Sequence, residues 1–275
     1  MSDRGSRARR YLPTVASRFA LDTAVNALAE GLYQAEIRPE WRVERPNGGY
    51  VAAILLRAVT AEIGDPDRSP RSVAIHYLRP PEDGPVEVAV TVERTGRSMS
   101  AVSARLTQQG KVVALALVAA GTERDGYRLD DAPAPDVPAP EDCALAPPPP
   151  FRIRIREQFE IRPAIGPPAF TGGNEAVTGG WLRLRDPEPT EAHVLVQIAD
   201  AWIPAIFGVT SERLGVPTVD LTVHLRQAVL PEDDGWVLVR FRTRLAAAGY
   251  LEEDGEIWDR AGRLLAHSRQ LAVIL

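Results

Sequence analysis

The chain has 275 residues, 45% of them hydrophobic and 25% charged, with a formal net charge of −5. These values exclude a wholly disordered protein, and with neither a basic excess nor a basic stripe they argue against nucleic-acid binding. One cysteine, Cys143, excludes an intrachain disulfide and any multi-cysteine metal site.

The length suits two units of about 130 residues better than one core. The basic start MSDRGSRARRY is not followed by a long apolar stretch, so no signal peptide is expected. It reads as a flexible tail that orders near Tyr11 or Phe19. No apolar run reaches the roughly 20 residues needed to span a bilayer, so a cytoplasmic protein without membrane insertion is expected.

Residues Ala20 to Ile37 mix helical and strand signals, and LYQAEIRPEWRVERP reads as short extended segments around Pro39, with Trp41 covering a core edge. Asn47-Gly48-Gly49 then opens a clear pattern. Val51, Ile54, Leu55, Ala58 and Ala61 or Ile63 recur at helical spacing, Asn47 is a good N-cap and Gly64 a good stop, which predicts a helix from Gly49 to Ile63. Strand signals follow. Ser72 to Leu78 alternates and is stopped by Pro80-Pro81. Val86 to Gly96 alternates strictly. Two more strands flank a hairpin turn at Gln109-Gly110. One helix followed by about four antiparallel strands suits a curved sheet wrapped around that helix.

Asp131 to Pro150 holds eight prolines and cannot supply sheet donors, so it reads as an extended spacer, with Cys143 incidental to it. Phe151 to Ile161 alternates as a strand, and the glycines of Thr171 to Gly180 suggest a mobile loop. Val194 to Phe207, VLVQIADAWIPAIF, reads as a 14-residue core helix holding one carboxylate, Asp200. An ionised Asp among apolar neighbours costs several kcal/mol unless paired, so Asp200 is either tied to a core arginine or a cap, or retained for chemistry. Pro204 removes a backbone donor, frees the Asp200 carbonyl and would open the helix beside the carboxylate. His193, near the helix start, is expected to reach solvent. The segments around TVDLTVHLRQAVL, WVLVRFRTRL and LLAHSRQLAVIL are strands again, with a last hairpin turn at Asp259 to Gly262.

The second half repeats the first. Leu78-Arg79 matches Leu225-Arg226 and Gly110 matches Gly262, which sets Gln270 against Val118. The first helix carries no acid until Glu62. Polar residues found only in the second half are therefore candidates for a single site. In a regular strand Thr218 would share a face with Asp220 and Thr222.

A helix wrapped by an antiparallel sheet and duplicated in one chain is an α+β arrangement that looks like the double hot-dog fold. The segments NGGYVAAILLRA, HYLRPPEDGPVEVAVTVERTGRSMSAVSARLTQQGK, IADAWIPA, TVDLTVHLR and AHSRQLA, in this order, resemble the acyl-CoA thioesterase II family over all but the tail and the proline-rich stretch. The resemblance implies a hot-dog unit over residues 1–121, a linker over 122–150 and a second hot-dog over 151–275 that carries the catalytic group. It implies Asp200, Thr218 and Gln270 as the Asp, Thr and Gln that position a water for hydrolysis of an acyl-CoA substrate. Hot-dog pairing adds Asn47, Gly48 and Gly49, at a helix N-terminus, as oxyanion donors. No cofactor is implied, and His76, His193, His224 and His267 lack metal spacing. Hot-dog sheets associate edge to edge or back to back, which implies a homo-oligomer. The rival reading is a non-catalytic acyl-CoA or lipid binder with a vestigial site. The sequence lacks the G-x-S-x-G of an α/β-hydrolase and both common glycine-rich nucleotide-binding motifs.

Overall fold

A computed structural model describes residues 16–149, 152–226 and 234–275. Tyr11 and the rest of the N-terminal tail lie outside the described residues, as does Phe151. The stretch of mixed signals becomes a short helix α1 (Arg18–Asp22) and a hairpin of β1 (Asn26–Ala29) and β2 (Leu32–Ile37). The chain then makes a single 3-10 turn at Pro39–Trp41, where Trp41 is wholly buried and its indole N–H donates to Asp22.

Helix α2 (Gly48–Ile63) starts and stops where its caps require. The Asn47 side chain accepts from the Tyr50 N–H, and Gly64 closes the helix at φ 63°, a left-handed conformation suited to glycine. Its burial runs almost continuously from Gly49 to Val59, broken at Arg57, and is not confined to one stripe. The reason is that α2 has two neighbours: the N-terminal sheet wraps it, and the second central helix packs against it.

Strands β3 (Ser69–Tyr77), β4 (Gly84–Thr95), β5 (Met99–Gln108) and β6 (Lys111–Gly121) complete the first half. The β5–β6 turn holds Gln109 at φ 50° and Gly110 at φ 73°, the two positive values that a two-residue hairpin needs. The second half contains β7 (Phe159–Ile165), β8 (Val177–Leu184), helix α3 (Ala192–Ile198), β9 (Thr218–Leu225), β10 (Val237–Arg242), a two-residue β11 (Ala246–Ala247), β12 (Tyr250–Asp259) and β13 (Leu264–Val273).

The sheet order among the described residues is β1-β2-β4-β5-β6-β3-β9-β13-β12-β10-β8-β7, which reads the same from either end once each strand is exchanged for its repeat counterpart. The halves meet at antiparallel β3 and β9, where Val73 faces Val223 and Ile75 faces Leu221. The repeat extends to single bonds. The Arg79 N–H donates to the Val113 carbonyl, three residues past Gly110, and the Arg226 N–H to the Leu265 carbonyl, three residues past Gly262. This is a double hot-dog, with two central helices wrapped by one continuous antiparallel sheet.

Three expectations need correction. Helix α3 has seven residues, not fourteen: it ends at Ile198, turns through Asp200, and resumes as a single 3-10 turn at Ala205–Gly208 after Pro204. Pro204 bars one helix from running through to Phe207, though the break itself falls six residues earlier, and an apolar run alone does not distinguish a helix from a buried turn. The strand expected from Phe151 begins only at Phe159, because Arg154–Gln158 makes a 3-10 turn that buries Ile155 and ties its N–H to the Arg42 carbonyl. The glycines placed in a mobile loop lie partly in β8. A Cβ on Gly180 would come within 2.2 Å of the Arg162 carbonyl oxygen, so the close approach of β7 requires glycine there.

The proline-rich segment is extended, but it is docked as well as spanning. It lies along the outer face of the C-terminal half of the sheet, where the Trp258 indole donates to the Ala132 carbonyl and the Trp181 indole to the Pro138 carbonyl, both at 2.8 Å. Ala134, Val137 and Cys143 pack there with Trp181, Trp236, Leu238 and Trp258, a cluster separate from the main core.

Candidate functional site

The end of α3 runs against the start of α2. A Cβ on Gly49 would meet the Gln197 carbonyl oxygen at 2.7 Å and the Val196 carbonyl oxygen at 2.9 Å, so only glycine permits this approach. The approach delivers Asp200, on the turn just beyond α3, to the N-terminus of α2. Its Oδ2 accepts from the Gly49 N–H at 2.9 Å and from Asn47 Nδ2 at 2.8 Å. Its main-chain carbonyl, freed from helical bonding beside Pro204, accepts from the same Asn47 amide at 2.7 Å. Asn47 is held in turn: its Oδ1 accepts from Gln197 Nε2 at 2.8 Å while capping α2.

The other two residues singled out lie beside the carboxylate. Thr218 Oγ1 is 3.1 Å from Gln270 Oε1 and 3.5 Å from Asp200 Oδ1. Thr218 does not share a face with Asp220 and Thr222. Between Leu271 and Ala272 the β13–β9 register shifts, with Leu271 opposite Asp220 but Ala272 opposite Thr218. Val219 is the extra residue of a β-bulge, and the bulge reverses the alternation so that Thr218 turns inward. Gln270, set against Val118 by the repeat, is buried as Val118 is.

Burial pushes the Asp200 carboxyl up to about 6, against the donors from Gly49, Gly48, Thr218 and Asn47, which favour the anion. Desolvation therefore outweighs four favourable contacts and leaves an acid that is mostly ionised at neutral pH yet basic enough to take a proton. The donors expected to serve an oxyanion, Asn47 and Gly49, are engaged by Asp200 itself. The helix N-terminus attracts the nearest anion, which in this fold is supplied by the other half of the chain. Gly48 sits where a Cβ would meet Asp200 Oδ2 and the Tyr77 ring, each at 3.0 Å, and its carbonyl accepts from the Tyr77 hydroxyl at 2.8 Å.

Sequence reasoning missed Glu253, which is 4% exposed. Its Oε1 accepts from Gln270 Nε2 at 2.9 Å and its Oε2 from the Ala205 N–H at 2.6 Å. Burial, chiefly, and the nearby charge of Asp200 push its carboxyl up to about 7. A signal was present: Leu251, Glu253, Gly255 and Ile257 alternate into the core along β12. His193 does not reach solvent freely. It bonds Glu188 at 3.1 Å and stacks on Phe19, tying α1 to the second half.

Fold and site define a class, the hot-dog thioesterases, and comparison with known proteins narrows it. Residues 37–121 match the acyl-CoA thioesterase N-terminal domain and residues 140–274 the acyl-CoA thioesterase C-terminal domain. The chain belongs to the double hot-dog thioesterase superfamily and is acyl-CoA thioesterase II-like. An uncharacterized protein of Mycobacterium tuberculosis is 27% identical over 270 residues, covering 88% of this chain and 91% of that protein. A hot-dog protein of unknown function from Alicyclobacillus acidocaldarius superposes with a TM-score of 0.86 at 24% identity, over 95% of this chain and 99% of that one. A thioesterase II candidate from Thermobifida fusca superposes with a TM-score of 0.82 at 26% identity, over 94% and 99%. Among the described residues no helix is long and apolar enough to cross a membrane.

Proposed function

We propose that the protein hydrolyses acyl-CoA thioesters to a free acid and CoA, with Asp200 as general base and Thr218 and Gln270 holding the water beside it. The observation that carries this reading is the convergence of one carboxylate, one hydroxyl and one amide, from three separated elements, at the junction of the two central helices.

The water oxygen attacks the thioester carbonyl carbon while Asp200 Oδ1 takes its proton. The tetrahedral intermediate then collapses with cleavage of the C–S bond, and that proton passes to the departing thiolate to give CoA thiol. A carboxyl near 6 suits the task, because it is largely ionised at pH 7 and only weakly committed to staying so. The oxygen that faces Thr218 is Oδ1, while Oδ2 is fixed by Asn47 and Gly49, so one oxygen anchors the group and the other is available for proton transfer.

The test is release of free thiol from saturated acyl-CoAs of short, medium and long chain by the wild type and by Asp200→Asn. Turnover of at least one chain length is expected, falling by about 10²–10⁴-fold in the variant, the range for loss of a positioned base. Unchanged kcat in Asp200→Asn would remove Asp200 as base. Saturable acyl-CoA binding by the wild type with no thiol release would favour a binding protein instead.

A further inference from the structure

We propose that Glu253 is a positioning residue that fixes which way the Gln270 amide faces, so that Gln270 presents its carbonyl oxygen, and not its NH2, beside Thr218 and Asp200. The proposal rests on the hydrolytic reading of that site and assigns a role to a buried group which that reading leaves unused.

An ionised carboxylate only accepts hydrogen bonds. Glu253 has both oxygens engaged by N–H donors, Oε2 by Ala205 at 2.6 Å and Oε1 by Gln270 at 2.9 Å. Opposite an acceptor, the Gln270 amide must turn its Nε2 toward Glu253, which leaves Oε1 facing Thr218 at 3.1 Å. Without Glu253 the two ends of that amide are nearly isosteric and either orientation fits the same space.

The orientation has a chemical consequence. With Gln270 Oε1 and Asp200 Oδ1 both as acceptors, a water between them donates one hydrogen to each and directs a lone pair outward, the arrangement of a nucleophile. With the amide reversed, Nε2 donates to the water oxygen and occupies the lone pair that must attack. Glu253 also holds the N–H of Ala205, five residues past Asp200, and so pins the far end of the turn that carries the base.

The charges facing Glu253 are Asp200, on the turn after α3, and Asp254, its neighbour along β12. Asp254 belongs to the opposite sheet face, where it pairs with Arg269 at 2.7 Å and Arg244 at 3.6 Å. The Tyr77 hydroxyl, on the Asp200 side, is committed to the Gly48 carbonyl. Two acids titrate close together at the core, Asp200 near 6 and Glu253 near 7, and the charge of Asp200 helps to raise Glu253. Protonated Glu253 can donate, which releases Gln270 to reverse, so the active form needs both carboxyls ionised.

The test measures kcat and KM against pH for the wild type, Glu253→Gln and the exchanged pair Glu253→Gln with Gln270→Glu. A glutamine at 253 keeps its shape and can still accept from Ala205, but it turns NH2 toward Gln270 and favours the reversed amide. The expected result for Glu253→Gln is a fall in kcat of at least about tenfold with KM little changed, since the interaction acts on the reacting water and not on substrate binding. The acid limb of kcat should drop from two protons in the wild type to one, and move to lower pH because the group that titrates near 7 is gone. The exchanged pair, with an acceptor restored at 270, should be faster than Glu253→Gln.

Wild-type kcat and an unmoved acid limb in Glu253→Gln overturn the proposal. So does a slower, less heat-stable variant whose acid limb stays in place, because that is a structural role. An exchanged pair no faster than Glu253→Gln also counts against it. Should Glu253→Gln not fold, the wild-type profile decides alone, and a one-proton acid limb overturns it. Absence of thiol release by the wild type is a separate result, which removes the hydrolytic reading itself.

Discussion

Asn47 and Asp200 stand 153 positions apart in the chain, yet the Asn47 amide bonds both the carboxylate and the main-chain carbonyl of Asp200. The same side chain caps α2 through its oxygen and accepts from Gln197. One residue therefore starts the first central helix and fastens the end of the second. Replacing it with alanine removes the cap and should cost about 1–2 kcal/mol of stability by thermal unfolding. It also removes donors that favour the Asp200 anion, so the carboxyl should rise above about 6. The acid limb of thiol release should then move to higher pH, with the fold-loss of rate greatest in acidic buffer, still present near neutrality and smallest in alkaline buffer.

Gly49 is the point where the two helices touch. An added Cβ would meet backbone atoms of Gln197 and Val196, which cannot rotate away. Gly49→Ala should therefore force α3 off α2, lowering stability by about 1–3 kcal/mol, the usual cost of overpacking. Because Asp200 rides on the end of α3, thiol release should fall with it, although alanine is a better helix former than glycine. Wild-type activity together with wild-type melting in this variant would mean that the helix junction is more compliant than its distances indicate.

The parts of this architecture legible in the sequence are those written locally. Asn47 and Gly64 mark α2 because capping is a short-range requirement, and Gln109-Gly110 marks a hairpin because few residues tolerate positive φ. Asp200 stands out because a lone acid in an apolar run needs a reason. What stayed hidden depends on distant strands. The bulge at Val219, which turns Thr218 inward, is a change of register against β13 and leaves no local trace. Glu253 sits in LEEDGE, where neighbouring acids mask its inward phase. Docking of the proline-rich segment depends on tryptophans from β8 and β12 that meet only in the folded sheet.

The two buried acids also set a stability profile. Both folded-state values are raised, about 6 for Asp200 and about 7 for Glu253, so the native chain holds protons that the unfolded chain has already released. Their favourable contribution is complete below the ordinary carboxylate range and is lost as pH rises through those values. From pH 5 to pH 8 the wild type should lose stability relative to the double variant Asp200→Asn with Glu253→Gln, by on the order of a few kcal/mol. Melting curves of both proteins across that interval measure the difference. Parallel pH profiles would show that these carboxyls titrate as exposed ones do.

The docked proline-rich segment gives a prediction separable from the chemistry. Trp258 and Trp181 each donate one hydrogen bond to its backbone. Changing both to phenylalanine keeps most of the apolar surface and removes those bonds, each worth about 1 kcal/mol. Trp258 alternates with Ile257 along β12 and therefore lies on the sheet face opposite Glu253, with Gln270 beside Glu253 on the inner side. Loosening the segment should leave kcat unchanged. The readout is Cys143, the only cysteine in the chain, which is buried in the same tryptophan cluster. Its labelling by a thiol reagent should be slow in the wild type and faster in the double variant, in step with the population of undocked segment. Equal labelling rates in the two proteins would mean that packing holds the segment down without its hydrogen bonds, and a fall in kcat would mean that the outer face communicates with the site across the sheet.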